Sequence, residues 1–229
     1  MALAFNIACG RRALTTGVSL PAAILAIVLT TPGCVYGAED TADVSQQALH
    51  AKMDYCETCH GMSGRGFVGF YPIPRLAGQP VEYIENQLKG FVAQKRASTV
   101  SPAATNVMFQ VGHVLSPAMI KALAMNFRDL NPKPFGGAPK DKMDAGKKIY
   151  DEGIESADVP PCASCHGSRG EGNGEFPRLA GQLYPYVVRQ LVNWSHERQE
   201  ENSDIMAPIA HSLSESQIEA VAAYVSYLE

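Results

Sequence analysis

Two stretches of the chain carry one apolar stripe in duplicate. Ile120, Leu123, Ala124, Phe127 and Leu130 fall at i, i+3, i+4, i+7 and i+10, and Ile218, Val221, Ala222, Val225 and Leu228 repeat that spacing 98 residues later. The period is helical, and each set occupies one face. Ser116-Pro117 places a capping hydroxyl and then a proline where a helix starts, and Ser214 with Gln217 has the form of a capping box. An earlier helix is predicted from Val81, Ile84, Leu88 and Phe91, again on one face. Tyr83, Gln87, Leu88 and Phe91 find counterparts in Tyr186, Gln190, Leu191 and Trp194. Further helical stretches are expected around Val44–Met53 and Met143–Tyr150.

A repeat of this quality means two copies of one domain. The segment between them, Asn131 to Pro139, holds three prolines that stiffen it and two glycines that allow turns, so it reads as a linker. The expected organisation is all-α: a first domain over 38–130, a linker over 131–139 and a second domain over 140–229. Residues 1–37 read as an export signal. Arg11 and Arg12 lead an uncharged stretch that lasts until Glu39, and Val35-Tyr36-Gly37 suits a signal peptidase. An uncleaved anchor and a lipidated Cys34 are the alternatives. Cleavage after Gly37 would leave 17 basic and 23 acidic side chains, with no basic patch that points to nucleic acid.

The candidate chemistry lies just upstream of the helices in each copy. Cys56-Glu57-Thr58-Cys59-His60 and Cys162-Ala163-Ser164-Cys165-His166 are both Cys-x-x-Cys-His, the attachment pattern of a c-type haem, and each is followed by glycine. The two thiols would form thioethers and the histidine would be the proximal iron ligand. A zinc ribbon needs its two Cys-x-x-Cys units about 15–20 residues apart; here the copies start at 56 and 162. Once Cys9 and Cys34 leave with the signal, Cys56, Cys59, Cys162 and Cys165 are all used by the two motifs, and no thiol remains for a disulfide. Covalent haem attachment agrees with export to a bacterial periplasm.

The other face of each iron needs a ligand from further along the chain. Met108 pairs with Met206 and His113 with His211 in the repeat, whereas Met119 and Met125 have Gln217 and Ala223 as counterparts. Methionine is preferred because His/Met ligation suits a high-potential electron carrier, with His113 and His211 as the alternative. Tyr83, Tyr186 and Trp194 are expected to pack near the haems. The loop after the first motif carries Phe67, Val68, Phe70 and Tyr71, and the shorter second loop carries Glu171 and Glu175. An apolar cover over one haem and carboxylates near the other would give the first domain the higher potential; the alternative is that both loops point to solvent, with Phe67 or Phe70 in a docking patch.

Paired Cys-x-x-Cys-His-Gly, Pro-x-Leu-Ala-Gly-Gln (74–79 and 177–182), a repeat-matched methionine and a Leu-Ser-x-x-x-Ile-x-Ala helix resemble the di-haem cytochrome c4 family across nearly the whole exported chain. The resemblance implies two tandem class I cytochrome c domains, each with covalent haem c. It implies that Pro74 and Pro177 offer their carbonyls to His60 and His166, and that Arg75 and Arg178 are candidate propionate partners. The implied function is one-electron transfer between a donor and a terminal oxidase or other acceptor. The protein would be free in the periplasm or held at a membrane, by an oxidase or by an uncleaved N-terminus. A cytochrome subunit of a dehydrogenase, such as a flavocytochrome, is the rival reading.

Overall fold

A computed structural model describes residues 44–96, 102–197 and 203–229. The export signal and its alternatives fall outside the described residues. Among the described residues the regular structure is helical, with only isolated β-bridges. Residues Glu39–Glu229 form one compact unit containing two cores.

The first core is built by α1 (Gln46–His60), α2 (Val81–Val92), α3 (Pro102–His113) and α4 (Pro117–Arg128). Ser45 caps α1 by accepting from Ala48 N, and Ser116 caps α4 by accepting from Met119 N, each at 3.2 Å. The expected stripe of α4 is inside: Ile120, Leu123, Ala124 and Phe127 are buried, and Leu49 of α1 and Ile84 of α2 belong to the same cluster as Leu123, Ala124 and Phe127.

The second core uses α5 (Met143–Glu152), the short α6 (Ala163–His166), α7 (Tyr184–Val192), α8 (Trp194–Glu197), α9 (Ser203–Ser212) and α10 (Glu215–Tyr227). Ser214 and Gln217 form the complete capping box at the start of α10. Ile218, Val221, Ala222 and Val225 are buried, and Tyr150 and Val187 complete the cluster. Corresponding helices pack in both halves. The C-terminal helix lies against the N-terminal and middle helices, and the methionine-bearing helix lies against the middle one.

The linker is more than a spacer. Arg65 donates to Pro134 O (2.9 Å) and stacks on the Phe135 ring (4.0 Å), while Arg75 donates to Pro132 O (2.7 Å) and Asn131 Oδ1 (3.1 Å). From the other side, Tyr227 donates to Ala138 O (2.9 Å) and its hydroxyl accepts from Gly137 N (3.1 Å). Proline removes backbone donors, so this segment is held through its carbonyls by side chains from both halves.

Candidate haem-binding sites

Each Cys-x-x-Cys-His motif ends a helix, followed by a glycine with positive φ (Gly61, 74°; Gly167, 85°). The turn brings the chain straight back: Gly66 N donates to His60 O (2.6 Å), and Gly172 N to His166 O (2.8 Å). A Cβ on Gly61 would lie 2.4 Å from Gly66 O, which explains the glycine after the histidine. The turn is then stitched to the Pro-Arg-Leu-Ala-Gly-Gln segment. Gly64 O accepts from Leu76 N and Ala77 N, and Gly170 O from Leu179 N and Ala180 N. That segment is fixed to the C-terminal helix by Gly78 N on Phe127 O and Gly181 N on Val225 O.

This scaffold delivers the expected acceptor to each histidine. His60 Nδ1 lies 2.9 Å from Pro74 O, and His166 Nδ1 lies 2.9 Å from Pro177 O. A carbonyl can only accept, so Nδ1 carries the proton and Nε2 keeps its lone pair. Both rings are buried, and burial holds their pKa values below the usual histidine range against the opposing effect of the proline carbonyl. A neutral imidazole with a free Nε2 is the donor that a haem iron requires.

The cysteines have the same arrangement in both copies. Cys56 and Cys162 are half-buried and Cys59 and Cys165 exposed, all as free thiols. Burial pushes the Cys56 and Cys162 thiols up to about 11. The hydroxyl before each second cysteine, Thr58 or Ser164, donates 2.6 Å to a carbonyl three residues back, Tyr55 O or Pro161 O. Each motif thus has a fixed local geometry. Among the described residues no cluster of three or more His, Cys, Asp or Glu side chains could hold a bare metal ion.

Met108 lies on α3 and Met206 on α9, both half-buried, whereas His113 and His211 are exposed. His113 stacks on Phe109 one turn earlier (5.6 Å). Tyr83 and Trp194 are half-buried. Tyr186 is half-buried too, and its hydroxyl accepts from Arg96 Nη2 at 2.9 Å.

Arg75 and Arg178 meet where the two halves join. Arg75 is only 2% exposed, its Nε donates to Ala77 O (3.1 Å), and burial followed by repulsion from Arg178 and Arg65 pulls its pKa down to about 10. Arg178 donates from Nε to Ala180 O (3.2 Å). Arg65 Nε is buried without an acceptor. The three guanidinium groups make this junction electropositive, with Arg75 already donating to Ala77 O, Pro132 O and Asn131 Oδ1 and Arg65 Nε left without an acceptor.

In the loop after the first motif Phe67 pairs with Ile73 across a short bridge, and Phe67, Val68 and Phe70 are 54%, 52% and 108% exposed. Tyr71 instead stacks under Arg189 of the other half (4.0 Å). In the second loop Glu171 turns onto Arg169 N (2.8 Å), Glu175 accepts from Asn86 Nδ2 (2.8 Å), and Phe176 packs edge-on to His166 (6.3 Å).

The cytochrome c family model matches residues 143–229. Cytochrome c-552 of Acidithiobacillus ferridurans is 40% identical over 175 residues, 76% of this chain and 73% of its own. Cytochrome c4 of Azotobacter vinelandii is 30% identical over 210 residues, 89% of this chain and 96% of its own. The chain belongs to the cytochrome c4 family. The solved cytochrome c4 of Acidithiobacillus ferrooxidans superposes with a TM-score of 0.67 at 37% identity, covering 76% of this chain and 99% of that one. Among related proteins, a thiosulfate dehydrogenase electron acceptor of Stutzerimonas stutzeri is 31% identical over 74% of this chain and 76% of its own. The all-α fold of two class I cytochrome c domains is thus the cytochrome c4 fold, and the chain is a cytochrome of the electron-carrier kind with covalently attached haem c.

Gln79 and Gln182 have a role that the repeat alone does not reveal. Both are buried, 4% and 5% exposed, and both reach across the junction. Their occurrence as the sole long polar side chain at the end of an otherwise apolar Leu-Ala-Gly run, in both copies, was the available signal.

Proposed function

We propose that the chain is an exported di-haem cytochrome carrying single electrons in the periplasm between respiratory redox partners, with a terminal oxidase as the expected acceptor. The observation that carries this reading is the duplicated histidine geometry, 2.9 Å from Nδ1 to a proline carbonyl in both domains. Haem bound there would supply a reversible one-electron iron couple.

The chain's own residues do the rest. Cys56 and Cys59 hold one haem and Cys162 and Cys165 the other. His60 with Met108, and His166 with Met206, would ligate the two irons. Half-buried methionines and exposed histidines on the same helices support that choice. Arg75, Arg178 and the unsatisfied Arg65 Nε support propionate binding at the junction. With two side chains on each iron, no place would be left there for a substrate, so the chain would work as a carrier and not as an enzyme. Among the described residues no single helix is long and apolar enough to cross a membrane; attachment would come from an oxidase or the N-terminal segment.

A second reading, a cytochrome dedicated to a dehydrogenase, is favoured by the name of the thiosulfate dehydrogenase electron acceptor. Purification from the native host separates the two. A free di-haem protein that an oxidase-containing membrane fraction reoxidises supports the carrier, and a stable complex with a flavin- or metal-containing dehydrogenase supports the rival.

A further inference from the structure

The two domains exchange a reciprocal pair of hydrogen bonds that ends on the histidine supports. Arg75 N donates to Gln182 Oε1 (2.8 Å), and Gln182 Nε2 donates to Arg75 O (3.0 Å). Arg178 N donates to Gln79 Oε1 (3.0 Å), and Gln79 Nε2 donates to Arg178 O (2.8 Å). The N–H of Arg75 belongs to the same peptide group as the carbonyl of Pro74, which accepts from His60. Likewise, the N–H of Arg178 shares its peptide with Pro177 O, which accepts from His166. Each peptide group therefore bridges a histidine of one domain to a glutamine of the other.

We infer that Gln182 of the second domain tunes His60 of the first, and Gln79 of the first domain tunes His166 of the second. They are positioning residues acting through one peptide unit. An amide whose N–H is donated becomes a better acceptor at its oxygen, with each bond in such a chain strengthened by about 10–30%. A stronger acceptor at Pro74 O draws the Nδ1 proton of His60 and raises the basicity of Nε2. A more basic ligand favours ferric over ferrous iron and lowers the midpoint potential. The site suits such polarisation because both glutamines are buried and water does not compete. Gln182 Oε1 also accepts from Leu183 N (3.0 Å), which holds its amide in place.

A glutamine that merely glued the domains together would act differently. Its loss would admit water to the junction, stabilise the ferric charge at both haems and lower both potentials. The relay predicts a rise, and at one haem only.

The inference rests on His60 and His166 being the proximal ligands, which the wild-type protein tests separately. If it lacks two covalently bound low-spin haems, that reading fails; if it has them, the variants judge the relay alone. The experiment is a potentiometric titration of the full-length di-haem protein, with each step assigned to a domain by NMR of the haem methyls. Gln182→Met should raise the midpoint of the first-domain haem and leave the second in place, and Gln79→Met should do the reverse. In the reduced protein the Nδ1–H resonance of His60 should move upfield in Gln182→Met, and that of His166 should stay. Should Gln182→Met fail to assemble, Gln182→Asn keeps a polar amide but falls one methylene short of Arg75 N. Midpoints that fall together, a shift confined to the mutated domain, or no shift at all would overturn the relay.

Discussion

The two domains reach the same histidine geometry on different scaffolds. In the first, α1 runs unbroken for 15 residues through the haem motif, and Leu49 is buried where α1 meets α4. In the second, α5 stops at Glu152, Gly153 and the Pro160-Pro161 pair redirect the chain, and α6 supplies a separate turn for the motif. The crossing there depends on Gly146: a Cβ on it would lie 2.0 Å from Ala220 O, so α5 and α10 touch backbone to backbone. Tyr150, fully buried, spans the broken region by donating to Gly167 O at 2.6 Å. The link between the first helix and the motif varies between the copies, whereas the segment from His to Gln shares one bond pattern. The difference teaches that the turn, the proline carbonyl and the glutamine define the site, and that the approach helix needs only to seal a core.

The surfaces differ as well. Residues 38–130 hold eight acidic and eight basic side chains, and 140–229 hold fifteen and eight. A partner sensitive to charge meets a neutral domain with exposed aromatics or an acidic one, and electrostatics of this kind govern encounter rates more than fold.

The comparison breaks most visibly at the helix crossings. Gly146→Leu meets backbone and not a flexible side chain, so α5 must part from α10, and the second domain should lose at least about 3 kcal/mol. Leu49→Ala empties a filled site in the first domain and should cost about 2.5 kcal/mol there. Amide hydrogen exchange resolved by domain checks both, with protection lost in α5 and α10 for the former and in α1 and α4 for the latter. Loss in both domains from either change would mean a single cooperative core.

A smaller effect is expected at Tyr150. Tyr150→Phe leaves Gly167 O with only the Gly170 N–H as donor and should cost about 1 kcal/mol, confined to the second domain. Denaturant midpoints read from each domain's own signals would show it, and a matching change in the first domain would contradict it.

The smallest effect is a pH dependence. Glu171, which stands where the first domain has Arg65, has its carboxylate held below the usual range, first by its own backbone N–H and then by that of Arg169. A depressed folded-state pKa contributes stability above the unfolded value of about 4.3 that is lost as pH falls through the folded one. The second domain should therefore lose a small increment on acidification that Glu171→Gln removes. An unchanged acid limb in that variant would show that the bond does not contribute.

Much of this was legible in the chain. The stripes of α4 and α10 follow from periodicity alone, because a helix at a core must bury one face. The haem motifs and their repeat placed the histidines and cysteines. One thing escaped for a physical reason. Gln79 and Gln182 looked like one repeated feature, whereas each finds its partner in the opposite copy. A repeat read within one chain shows what is shared and not what is exchanged.

Each domain is proposed to hold one haem between its histidine and its repeat-matched methionine. The oxidised protein should contain two covalent haems per chain and show the weak long-wavelength absorption of methionine bound to ferric haem. Met108→Ala and Met206→Ala should each remove about half of that band and lower the potential of one haem, the first domain's and the second's respectively. If His113→Ala or His211→Ala removes the band instead, and the methionine variants keep it, the axial assignment is wrong.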